Sequence, residues 1–72
     1  MIYKVIKTIN GAAVYIDKAN MAETVESYLN GQKGIQVTEI RLIRSTDTAL
    51  LVLHSDIDIE NINHIMNLKA WN

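Results

Sequence analysis

Val37 to Leu53, VTEIRLIRSTDTALLVL, decides how the rest of the chain is arranged. It reads as two β-strands joined by a short polar turn, Ser45-Thr46-Asp47-Thr48. The second strand, Ala49 to Leu53, is apolar at every position, so both of its faces are expected to be covered. Such a strand belongs inside a sheet and not at its edge. In the first strand Ile40 and Leu42 share a face, and Ile43 falls off it.

Upstream of this hairpin, Asn20 reads as a helix N-cap, with Glu23 three residues on to close a capping box. Ala22, Val25, Tyr28 and Leu29 then recur at helical spacing as one apolar stripe. Gly31 reads as the helix stop, entering the left-handed conformation without strain, and Gly34 frees the chain to turn into a strand at Ile35. Nearer the start, Ile2 to Ile9 is rich in β-branched residues and reads as a strand. Asn10-Gly11 suits a two-residue hairpin turn because both positions tolerate positive φ. Ala12 to Asp17 is then the return strand, although Ala12-Ala13 has little β-propensity and leaves a helical start open. Downstream, Ser55 or Asp58 caps a second helix whose Ile59, Ile62, Ile65 and Met66 repeat the stripe of the first. Ile57 and Leu68 widen its apolar face. Its many Ile and Asn residues are mediocre helix formers, so packing must hold it.

The two halves echo each other at an offset of 37 residues. Lys4-Val5-Ile6-Lys7 lies on Arg41-Leu42-Ile43-Arg44, and the first helical stripe lies on the second. Only Ile6/Ile43, Ala12/Ala49, Glu23/Glu60 and Asn30/Asn67 are identities, so the agreement is one of pattern. The expected fold is therefore α+β, a single domain over 1–72 made of hairpin–helix units at 2–31 and 35–69. Its order is β-β-α-β-β-α, giving a two-layer sandwich with an antiparallel sheet and two helices on one face. If the first return strand fails, the order becomes β-α-β-β-α.

From Met21 to Leu53 the chain resembles small sporulation-associated proteins of low-GC bacteria and their phages. The resemblance runs through Met21, Val25, Tyr28 and Leu29, then Val37-Thr38-Glu39-Ile40-Arg41-Leu42, then Ala49-Leu50-Leu51-Val52-Leu53. This chain departs in its longer link between first strand and helix, its shorter central loop and its added C-terminal helix. The resemblance implies a fold and no catalytic residues, because the family has no assigned activity.

Composition narrows the function classes. Seven basic residues against eight acidic ones leave a net charge of −1, which weakens broad attraction to nucleic acid or to a membrane. There is no Cys, hence no disulfide framework and no thiolate metal cluster. No apolar run approaches the ~18 residues that span a bilayer, and the N-terminus enters strand-like alternation with no signal-peptide pattern. A cytoplasmic protein is expected. Eleven Ile and seven Asn, with no Pro or Phe, suit the AT-rich codons of a bacterial or phage genome. A chain this short buries only about 60% of its unfolded surface.

No catalytic constellation stands out, and no cofactor or small-molecule substrate is expected. There is no Gly-rich phosphate loop, nucleophile elbow or metal-spaced His pair. His54 and His64 read as surface residues, and Asp17, Asp56 and Asp58 as loop and helix-start residues facing a helix dipole. Two binding readings remain. In one, Lys4, Lys7, Arg41 and Arg44 track a phosphate backbone, but residues three apart on a strand point to opposite faces. In the preferred one the chain is a non-enzymatic protein-interaction module and a homodimer, with Ile43, Ile57, Leu68 and Trp71 as interface candidates. Trp71 has a second reading, as a cover over the edge of the core.

Overall fold

Two hairpins supply the sheet, and a helix follows each of them. The computed structural model describes residues 1–55 and 58–71. Strands β1 (Tyr3–Thr8) and β2 (Gly11–Ile16) form the first hairpin, and a 3-10 turn (Ala19–Met21) leads into α1 (Ala22–Asn30). Strands β3 (Ile35–Ile43) and β4 (Thr48–Ser55) form the second, followed by α2 (Ile59–Asn67). All pairings are antiparallel, in the order β1-β2-β4-β3. The apolar strand β4 is thus internal, and the second strand of each unit meets the other at the centre. The 37-residue offset carries into the structure: α1 and α2 start and end 37 residues apart, and β2 and β4 start 37 apart.

The core forms on one side of this sheet. Ala12, Val14 and Ile16 of β2 pair with Leu53, Leu51 and Ala49 of β4. Period-two alternation places all six on one face, and all are buried. They join one apolar cluster with Ala22, Val25 and Leu29 of α1, Ile62 and Met66 of α2, and Ile35 and Val37 of β3. The Tyr28 hydroxyl donates to the Ile65 carbonyl at 2.6 Å and links the two helices. Seven of the nine residues of α2 are Ile, Asn or His, each up to about 0.7 kcal/mol poorer than Ala in a helix. Complete burial of Ile62 and Met66 supplies roughly 1.5–3 kcal/mol each, which is comparable with that deficit. Asp58 caps the helix, its carboxylate accepting from the Asn61 amide at 3.0 Å. The radius of gyration is 11.0 Å, the value of about 11 Å that a close-packed chain of this length should have.

Several local expectations are corrected. The first hairpin closes with Thr8 opposite Gly11, so its two-residue loop is Ile9-Asn10 and Gly11 opens the return strand. The second loop spans 44–47, with Thr48 already in β4 opposite Ile43; Asp47 takes positive φ there. Asn20 does not cap α1. It lies inside the 3-10 turn, and Met21 stands at the N-cap with no side-chain bond. A tertiary contact replaces the cap, because the Ala19 amide donates to the Asp47 carbonyl at 2.9 Å and fixes the approach. Gly31 is right-handed at φ −77°, and the left-handed residue is Gly34 at φ 83°. The Asn30 side chain, accepting from the Val37 amide at 2.8 Å, closes this loop. Finally, β4 is covered on one face only, since Leu50 and Val52 remain half-buried.

Candidate interaction surface

Alternation that buries Leu51 and Leu53 must turn Leu50 and Val52 the other way. Register gives two rows across this second face. One row runs Ile6, Ala13, Val52, Glu39 and the next runs Lys4, Tyr15, Leu50, Arg41. Ile43 joins them opposite Thr48. The row centres are apolar and the charges stand on the outer strands. Ile6 is 39% exposed and Ile43 44%, and Tyr15, Leu50 and Val52 are half-buried. Ala13 is a low point among them, screened to 2% exposure by larger neighbours.

A β-bulge between Val37 and Glu39 shapes one end of the face. The extra residue, Thr38, donates its hydroxyl to the Val52 carbonyl at 3.3 Å. Beyond it, Glu39 and Arg41 stand two apart on β3, and the Arg41 guanidinium donates to the Glu39 carboxylate. That bond, and then the negative charge itself, hold the Arg41 guanidinium above its ordinary range. A raised basic group adds stability at every pH below its unfolded value and loses it only in strong alkali. The Arg41 guanidinium therefore stays charged throughout the physiological range.

The four sequence-predicted cations do not converge. Lys4 and Arg41 share the second face but sit on opposite edge strands, three strand spacings or ~14 Å apart. Lys7 pairs with Ala12 and so points to the helix side, where it borders a shallow groove with Asp58 and Glu60. Arg44 lies in the loop after β3, exposed. Among the interface candidates, Ile43 is on the second face and Leu68 is 66% exposed at the C-cap of α2. Ile57 lies outside the described residues. Trp71 is only 8% exposed and belongs to the core cluster. Its indole donates to the Met66 carbonyl at 3.0 Å and meets the Tyr28 ring edge-on at 5.3 Å. Of its two readings, the position over the core's edge is the one occupied.

Sequence reasoning missed Tyr15, Leu50 and Val52 as surface. The all-apolar run Ala49 to Leu53 implies cover for Leu50 and Val52, and the signal that places them with Tyr15 on the second face is the parity of the register. Among the described residues no three His, Asp or Glu gather as a metal site, and no helix is long and apolar enough to cross a membrane. Comparison with protein-family models, curated proteins and solved structures found no match.

Proposed function

We propose that this chain is a small non-enzymatic protein-interaction module that works by burying the second face of its sheet against a protein. In this reading the fold is a two-layer sandwich, with both helices on one face of the sheet and the other face left for contact. A homodimer serving as a regulatory or accessory protein in a bacterial or phage cytoplasm is the setting that composition and the resemblance of residues 21–53 favour. The observation that carries the reading is the apolar centre of the face, with Tyr15, Leu50 and Val52 half-exposed beside Ile6 and Ile43. A contiguous apolar surface rimmed by charge marks contact sites on small proteins. A phosphate-tracking role gains no support, because Lys7 and Lys4 point to opposite sides of β1.

The test is capture by the tagged chain, with and without nuclease, beside a variant carrying Leu50→Lys and Val52→Lys. Proteins, untagged copies of the chain included, should be held by the parent after nuclease and lost by the variant. Equal capture by the two would remove the reading. A recovered set that vanishes with nuclease would replace it with nucleic-acid binding.

A further inference from the structure

We infer that the occupant of the second face is a second copy of this chain, packed face to face about a two-fold axis that runs across the strands. The inference rests on the reading above and commits it to one partner. It follows from the order of charges and sizes in the two rows.

Face-to-face sheets pack about 10 Å apart, close enough for opposed side chains to interdigitate. A two-fold lying between the copies has two simple orientations. Along the strands, it carries β1 of one copy over β3 of the other. Lys4 then falls on the second copy's Arg41, and the same repulsion occurs twice. Across the strands, with the axis between the two rows, each strand falls on its own counterpart with the rows exchanged. Glu39 then meets the second copy's Arg41, and Arg41 meets the second copy's Glu39. The intrachain pair on β3 is therefore one half of a four-charge cluster of alternating sign.

Sizes agree with the charges under the same operation. Tyr15 falls over the second copy's Ala13, the low point of the face, and Leu50 falls over Val52. Lys4 lays its stem along the second copy's Ile6, with its ammonium free to reach water. One operation thus satisfies every position in both rows, as an isologous interface must. The two longer dimensions of the molecule, 31 and 26 Å, enclose an elliptical outline of roughly 600 Å², the upper limit for the face of one copy. Two such faces reach at most the ~1,200 Å² lower end of specific protein interfaces, which fits a dimer that forms only in the high-micromolar range. Edge-to-edge association through β3 is the weaker alternative, because the bulge after Val37 interrupts that edge and bulges disrupt edge pairing.

The experiment is a charge swap on purified protein, read by light scattering and sedimentation, with circular dichroism to confirm folding. Parent protein should be dimeric in the high-micromolar range. Glu39→Arg alone, and Arg41→Glu alone, each place like charges at two reciprocal contacts and should weaken self-association about tenfold or more. Mixing the two variants should restore the dimer as a heterodimer, because each then meets its opposite. The double variant with both substitutions should pair with itself as the parent does. A monomeric parent overturns the inference while leaving capture of another protein by this face open. A dimer indifferent to Leu50→Lys would instead overturn the choice of face. Single variants that weaken association without rescue on mixing would overturn the axis.

Discussion

Removing the indole of Trp71 tests whether the C-terminal segment completes the core. In Trp71→Ala the loss includes a largely buried aromatic, its hydrogen bond to the Met66 carbonyl, and its edge-on contact with Tyr28. Truncating a buried Trp costs about 3–5 kcal/mol. A domain of this size has roughly 4–11 kcal/mol in total, at 0.05–0.15 kcal/mol per residue. The variant should therefore lose about a quarter or more of its stability, and a parent at the low end of that range would not stay folded. Trp71→Phe is the graded companion. It keeps a ring against Tyr28 and drops the N–H donor, so it should cost about 1–2 kcal/mol, or roughly 4–16 °C in melting temperature. Urea unfolding followed by far-ultraviolet circular dichroism measures both, since Trp fluorescence is lost with the residue. A Trp71→Ala protein within about 0.5 kcal/mol of the parent, the range of ordinary surface substitutions, would refute the core role. If self-association then fell instead, the indole would belong to an interface.

Other outcomes follow from single contacts. Gly31 is right-handed and an added Cβ would sit 3.4 Å from the Ser27 and Tyr28 carbonyl oxygens, an ordinary contact. Gly31→Ala should thus be neutral or raise stability by up to about 1 kcal/mol through the unfolded state. Gly34→Ala, at φ 83°, should cost about 1 kcal/mol or more in the same urea titration. Asp58→Ala removes the carboxylate that holds the Asn61 amide and should lower stability by about 1 kcal/mol, while Asp58→Asn should restore most of it. A peptide of residues 58–69 should be largely unfolded, as short helices without tertiary packing are. Strong helical dichroism in that peptide would contradict the account of α2 as a helix held by Ile62 and Met66.

Period and parity were legible in the sequence, because backbone geometry alone imposes them. The stripe Ala22, Val25, Tyr28, Leu29 and its echo at Ile59, Ile62, Ile65, Met66 placed both helices within a few residues, and the all-apolar run Ala49 to Leu53 placed β4 inside the sheet. What was not legible was set by groups distant in sequence. Asn20 had the chemistry of a cap, yet the approach to α1 is fixed by the Asp47 carbonyl, 28 positions away from Ala19. Gly31 had the chemistry of a left-handed stop, yet Gly34 takes the positive φ, in a loop that the Asn30 side chain closes by accepting from the Val37 amide. Trp71 stood open between an interface and a cover over the core, and the contacts of its indole with Tyr28 and the Met66 carbonyl lie between residues the sequence does not show to be neighbours. The largest difference is Leu50 and Val52. Hydrophobicity states that a side chain favours cover, but not which body supplies it. Only the tertiary arrangement, which gathers Ala22, Val25, Leu29, Ile62 and Met66 into one cluster with Leu51, leaves Leu50 and Val52 half-exposed.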